Sequence, residues 1–242
     1  MQTRFTENGK ARIVYDAGVI EHPGQLRFDA EYWQHQGAIT GVAHGRGTVF
    51  FVRDGQQQFV IRHYRRGGMV AKLSQDRYLW CGLQRTRAWR EWALLVWMRV
   101  RGLPVPQPVA IQLILHGLSY SCDIMTRRIE DSMTLAERLQ QAALPAQDWQ
   151  RLGELIQRFH TLGIWHADLN ARNILLDSEA HFYLLDFDRG RLRKAGARWQ
   201  AANLARLRRS LEKIAHQSRE FYFQESDWLA LSDGYRRLLS TD

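Results

Sequence analysis

The chain has 242 residues, 45% of them hydrophobic and 24% charged, ordinary proportions for a globular protein built as one large domain or two small lobes. Its two cysteines, Cys81 and Cys122, form no CxxC pair, which argues against a disulfide framework or a structural zinc site and fits a reducing compartment. The unusual quantity is charge: +9 at pH 7, with only Lys10, Lys72, Lys194 and Lys213 as lysines, so arginine supplies nearly all of it. Arginine's planar fork of donors grips phosphate and carboxylate in pairs, and a positive field attracts nucleic acid, anionic membrane or a phosphorylated substrate. The same charge is equally compatible with a basic, solvated surface.

Taken in chain order, the N-terminal stretch MQTRFTENGKAR is polar and lacks the apolar centre of a secretory signal. No apolar run approaches the roughly 20 residues of a membrane span. A cytoplasmic protein is therefore expected. Residues 37 to 66 read as strand, turn, strand, strand, with glycines between β-formers in GAITGVAHGRGTVFFV and a DGQQQ turn before FVIRHY. TRAWREWALLVWMRVRG has apolar positions at helical spacing and a glycine stop. LPVPQPV is a proline-punctuated connector. VAIQLILHGLSYSCDIMTR reads as two antiparallel strands joined near His116 and Gly117. From SMTLAERLQQAAL onward the texture is helical, with Ser132 or Thr134 as the first cap. AQDWQRLGELIQRFHTLG, WQAANLARLRRSLEKIAHQ and ESDWLALSDGYRRLLS are the later helices. The class expected is α+β, with a β-rich lobe over residues 1–128, a helical lobe over 129–242 and a cleft between them.

The segment HADLNARNILLDSEAHFYLLDFDRGR, His166 to Arg191, interrupts that helical texture. It sets Asp168, Asn173 and Asp186 beside apolar runs, where an unpartnered acid or amide would cost a few kcal/mol. Asp168 falls in a loop; Asn173 is expected to start one strand of a hairpin and Asp186 to end the other. An amide oxygen and a carboxylate suit Mg²⁺ bound together with nucleotide phosphates. A second carboxylate nearby suits a base taking the proton of an attacking hydroxyl. Phosphoryl transfer asks little of a protein beyond such positioning and charge neutralisation.

HADLNARN and DFD resemble the catalytic loop and the metal-binding loop of the protein-kinase-like fold, a two-lobed fold with a β-rich N-lobe and a helical C-lobe. The resemblance implies that Asp168 is the catalytic base and that Asn173 and Asp186 hold the metal. GVAHGRGTVF is similar to a degenerate glycine-rich loop, with Gly41, Gly45 and Gly47 admitting phosphates; glycines between strands also mark ordinary hairpins. FVIR occupies the place of the family's V-A-I-K, so Arg62 stands where lysine is expected, and Lys72 is the alternative anchor for phosphate. Glu91 falls where the helix glutamate that pairs with that cation belongs; an exposed helix charge is the bland reading. Asp188 replaces the glycine of D-F-G as a turn former or an extra ligand. The family's counterpart of His166 braces the loop, and the same is expected here. Trp165 and Trp92 are expected in the core, and Trp199 and Trp228 in helix packing.

No A-P-E run follows Asp186, and the chain beyond it leaves little room for an activation segment and peptide-binding helices, so a small-molecule kinase is expected. RHYRRGG, TRAWREWALLVWMRVRGLPVPQPVA and HADLNARNILLD resemble the lipopolysaccharide-core kinases, those acting on 3-deoxy-D-manno-octulosonic acid (Kdo) above all, over residues 37 to 215. That resemblance implies ATP and Mg²⁺ as cofactors and phosphorylation of the 4-hydroxyl of Kdo on a lipid A precursor. It implies peripheral attachment to the anionic cytoplasmic side of the bacterial inner membrane, with no nucleic acid as partner. Arg65, Arg66, Arg189 and Arg191 are the candidate anion contacts, each with solvated surface charge as its alternative. Two other readings stay open: a heptose kinase of the inner core, and a catalytically inactive kinase-like module that binds anions, which the departures at Arg62 and Asp188 would favour.

Overall fold

The structure, a computed structural model, describes residues 1–21, 23–44, 48–65, 76–194 and 196–237. Two compact units emerge, one of Met1–Val100 with Pro106–Arg128, the other of Arg101–Val105 with Ile129–Asp242. The sequence reading placed one boundary near residue 128; the structure in addition assigns 101–105 to the second unit. Leu184 N–H donates to Pro104 O at 3.1 Å, which ties that connector to the helical unit.

The first unit is an antiparallel sheet. Its strands are β1 (Thr3–Asn8), β2 (Ala11–Asp16), β3 (Ile39–His44), β4 (Thr48–Asp54), β5 (Gln57–His63), β6 (Tyr78–Leu79), β7 (Pro108–His116) and β8 (Ser119–Arg127). They run in the order β1-β2-β7-β8-β5-β4-β3, with β6 also paired to β8. Strand alternation gives each face its job. Phe59 and Ile61 of β5 join Ile13, Val52, Ala110 and Met125 in a buried cluster that includes Trp33 of the short helix α1 (Ala30–His35). Arg62 and Tyr64 project to the other side, where α2 (Arg87–Val100) buries Ala88, Glu91, Trp92, Leu95 and Met98 at helical spacing. Gly102, with φ of 68°, lies just past the end of α2 in the left-handed conformation expected of a helix stop. The β1–β2 hairpin and α1 were not anticipated, because each element is only six residues long and β1 is largely exposed, so no long periodic pattern forms.

The second unit holds α3 (Leu135–Gln141), α4 (Ala146–Thr161), α5 (Ala197–Gln217) and α6 (Glu225–Arg237). Three short strands, β9 (Ser132–Thr134), β11 (Ile174–Asp177) and β12 (Phe182–Leu184), form one small sheet, and β10 (Ile164–Trp165) pairs with β13 (Arg191–Leu192) in another. Ser132 to Thr134 is strand rather than the start of a helix. Thr134 then caps α3 through a capping box with Glu137, while Ser132 bonds Ile129 O. Asn173 closes a 3₁₀ turn, Ala171–Asn173, and the strand begins one residue later, because Asn170 caps that turn by accepting from Arg172 N and Asn173 N.

Helices α4 and α6 approach closely because both carry glycine at the crossing. A methyl group on Gly153 would sit 2.0 Å from Leu231 O, and one on Gly234 would sit 2.0 Å from Gln150 O. Backbone oxygens cannot step aside as side chains can, so the helices themselves must part. Gly153→Ala should therefore destabilise the protein by about 1–2 kcal/mol, although the same change in a free helix gains about 1 kcal/mol. Thermal unfolding of the variant checks this; an unchanged or raised midpoint would remove the close crossing.

Candidate active site

In the second unit the loop after β10 is held from several sides. His166 is 3% exposed. Its Nδ1 lies 3.1 Å from Asp168 N and its Nε2 lies 2.7 Å from Leu185 O. The Asp168 N–H donates to Nδ1, so Nδ1 is unprotonated and the proton sits on Nε2, donated to Leu185 O. Burial pushes the His166 pKa down, against the pull of that carbonyl, which favours the same neutral ring. Both ring nitrogens are engaged, so His166 braces the loop and has no lone pair left for proton transfer.

Leu185 is the crossing point. Its N–H donates to Asn173 O at 2.8 Å while its carbonyl takes the His166 proton, and the next residue is Asp186. Asp186 has φ of 58°, a left-handed conformation that costs an ordinary side chain on the order of 1 kcal/mol or more. What holds it there is Phe187. That ring is buried between the His166 ring, 4.8 Å away, and the near-parallel Phe159 ring at 6.0 Å. The aromatic side chain goes in and the Asp186 carboxylate stays exposed. Gly190 N–H closes a turn on Phe187 O at 2.7 Å with Asp188 and Arg189 at its centre, so Asp188 stands in a turn.

Asn173 Nδ2 donates to Asp168 O at 2.9 Å, as does Asn170 Nδ2. With its amino group so engaged, Asn173 keeps Oδ1, a hard oxygen, for other use. Asp168 is partly exposed, and Arg206 of α5 reaches within 3.4 Å of its Oδ1. Among the described residues no group of three or more His, Cys, Asp or Glu forms a metal cage. One amide oxygen and one carboxylate are what Mg²⁺ needs when phosphates and water complete its shell, so the donor set fits that ion better than a zinc or calcium site.

Sequence reasoning missed Asn203. It lies on the buried stripe of α5 with Leu207, Leu211 and Ile214. Its Oδ1 accepts from His166 N at 3.2 Å and its Nδ2 donates to His166 O at 2.9 Å, so one amide satisfies both backbone groups of a buried residue. An amide in line with helix leucines was the available signal. Ser210 adds a bond to Ala171 N at 3.1 Å.

In the first unit, Arg62 Nη2 lies 2.6 Å from both carboxylate oxygens of Glu91, and Tyr64 OH donates to Glu91 Oε2 at 2.6 Å. Glu91 is 4% exposed, the opposite of a solvated helix charge. Arg62 also lies over the Tyr64 ring, 4.8 Å from its centre. Burial, then the neighbouring carboxylate, push the Tyr64 phenol well above its ordinary range. Gly41 sits within β3 against Phe51, while Gly45, Gly47, Arg66 and Lys72 lie outside the described residues. Arg65 and Arg189 are exposed; Arg191, with Arg193, stacks on the Trp165 ring at 5.2 and 4.0 Å. Trp165 is half-buried beneath those two guanidiniums, whereas Trp92 is core. Trp199 packs on His160 at 5.0 Å and Trp228 lies under Arg208 at 5.6 Å.

A β-rich unit with a buried cation–glutamate pair, followed by a helical unit carrying these two loops, is the architecture of the protein-kinase-like phosphotransferases. The sequence model of the lipopolysaccharide kinase (Kdo/WaaP) family matches residues 30–235, and the chain belongs to that family. It is 40% identical to a 3-deoxy-D-manno-octulosonic acid kinase of Photobacterium profundum, over 93% of this chain and 94% of that one. It is 41% identical to the enzyme of the same name from Haemophilus influenzae, over 87% and 90%, and 42% identical to that of Xanthomonas axonopodis pv. citri, over 88% and 85%. The protein is thus a transferase that uses ATP, and the reading as an inactive module falls away.

Two substitutions test these supports. Asn203→Leu strands a buried N–H and a buried carbonyl of His166, at about 1–3 kcal/mol each. Amide hydrogen exchange at residues 166–168 should accelerate and activity should fall; unchanged protection there would remove Asn203 from the support. Glu91→Ala removes the carboxylate that Arg62 Nη2 and the buried Tyr64 hydroxyl share, a loss of roughly 3 kcal/mol by the usual cost of breaking a buried pair. Denaturant unfolding measures it, and a change under about 0.5 kcal/mol would show that the pair carries little.

Proposed function

We propose that the protein transfers the γ-phosphoryl group of ATP to the 4-hydroxyl of Kdo on a lipid A precursor, at the cytoplasmic face of the inner membrane. What carries this is the convergence of Asp168, Asn173 and Asp186 on one set of shared hydrogen bonds through His166 and Leu185. The sugar is taken from the relatives, which are 3-deoxy-D-manno-octulosonic acid kinases.

Asp168 takes the proton of the sugar hydroxyl as its oxygen bonds to the γ-phosphorus; the bond from that phosphorus to the β-bridging oxygen breaks and ADP departs. Arg206 keeps the Asp168 carboxylate oriented. Mg²⁺, when bound, neutralises phosphate charge, and Asn173 Oδ1 and the Asp186 carboxylate are the groups that would hold it. Arg62, fixed by Glu91, is the proposed phosphate anchor, and Gly41, Gly45 and Gly47 are the proposed glycines that admit the phosphates. An arginine-rich chain of net charge +9 fits an acceptor bearing phosphates and a sugar carboxylate in an anionic bilayer.

Asp168 is exposed enough that Asp168→Asn should leave the melting temperature nearly unchanged. With γ-labelled ATP and a detergent-dispersed Kdo-bearing lipid A precursor, that variant should lose activity by about 10²–10⁴-fold, the usual size of a general-base contribution. The parent should place its label on Kdo. Full activity in the variant, or label on another sugar, contradicts the proposal.

A further inference from the structure

One end of the first unit gathers exposed leucines, an indole and cations. The β7–β8 hairpin turns through Gly117 and Leu118, a place where Asn, Asp, Gly or Ser is usual, and Leu118 is 83% exposed. Beside it runs β6, where Leu79 is 69% exposed. Leu79 pairs with Ser119, and Trp80 N–H donates to Leu118 O at 2.9 Å, so two bare leucines and an indole share one edge. The β1–β2 turn reaches the same end, since Leu115 N–H donates to Lys10 O at 2.9 Å. It brings cations: the Arg12 guanidinium lies 5.1 Å from the Trp80 ring. Arg77 and Lys10 both act on His116, beside the turn, and with burial as the larger cause they hold its pKa down. Two carboxylates stand nearby. Glu7 pairs with Arg12 at 2.9 Å, and Asp76 is shared by Arg77 at 3.7 Å and His63 at 3.4 Å. Asp123 closes the other side of His63 at 2.7 Å and is itself buried, so Lys10, Arg12 and Arg77 stand with Glu7 and Asp76 toward the surface of this end.

An exposed leucine at a turn and another on the strand beside it, an indole with a polar edge and long cationic side chains are the parts of an interfacial anchor. The leucines enter the acyl boundary, the indole sits at headgroup depth, and the cations reach lipid phosphate. No described helix is long and apolar enough to cross a membrane, so attachment through this edge would be peripheral. We infer that the edge formed by Leu79, Trp80 and Leu118, with Lys10, Arg12 and Arg77, is the surface by which the protein docks on an anionic lipid bilayer. The inference deepens the membrane part of the proposed function and rests on it; the chemistry of phosphoryl transfer is separate.

The test uses vesicles of phosphatidylglycerol and phosphatidylethanolamine with no acceptor sugar, so it stands apart from transfer. The full-length protein should co-sediment with them and bind phosphatidylcholine vesicles far less. Leu79→Ser with Leu118→Ser should weaken partitioning about tenfold or more, from the apolar area each leucine no longer buries. Melting temperature and phosphorylation of a detergent-dispersed acceptor should be unchanged. Cys81, exposed beside the edge while Cys122 is buried, can carry a polarity-sensitive fluorophore that should shift to the blue on the anionic vesicles. Equal partitioning of the double variant and the parent overturns the inference. So does equal binding to neutral lipid, failure of the parent to bind, or a dimer in solution that the double variant abolishes, which would give the edge to a second copy.

Discussion

One neutral imidazole ties the chemistry of the helical unit together. His166 accepts from the Asp168 N–H and donates to the carbonyl of Leu185, the residue before Asp186, so the segments carrying Asp168 and Asp186, the proposed base and metal carboxylate, share a single buried ring. A protonated ring would lose its acceptor nitrogen and break the first bond, and burial holds the ring against that. Asn203 clamps the backbone of the same residue from α5, and Phe187 packs against the ring at a tilt of 58°. The left-handed Asp186 is then a consequence: with Leu185 bonded on both its polar groups and Phe187 buried, the carboxylate has one direction left.

The first unit repeats the principle with a charged pair. Glu91, buried on α2, has both its oxygens bonded by Arg62 and Tyr64 of the neighbouring strand region, which offsets the cost of burying its charge. Arginine in place of lysine is a change of geometry as well as of length. Its guanidinium carries other donors beyond Nη2 and can lie flat over Tyr64, which a lysine ammonium cannot do.

The motif residues were legible in the sequence because each sits in a short run with fixed spacing: Asp168 and Asn173 in HADLNARN, Asp186 in DFD, Glu91 on a strongly periodic helix. The α+β segregation was legible for the same reason, as long apolar periods survive without tertiary help. What could not be read were partners set by folding. Asn203 is 37 residues from His166, and Tyr64 is 27 from Glu91; no local pattern announces either. The β1–β2 hairpin was missed because β1 is exposed along most of its length, so nothing alternates. Thr134 rather than Ser132 caps α3 because Ser132 to Thr134 is held in β9 by pairing with β11, a contact between segments some 40 residues apart.

The claim on which the rest depends is that this shared network aims Asn173 Oδ1 and the Asp186 carboxylate at one divalent cation beside the Asp168 carboxylate. Crystals grown with Mn²⁺ and a non-hydrolysable ATP analogue test it by anomalous scattering. The account predicts a manganese peak at coordination distance from both oxygens and from nucleotide phosphate, with the His166 bonds intact. A cation bound without Asn173 and Asp186, or those side chains turned from the triphosphate, would contradict it.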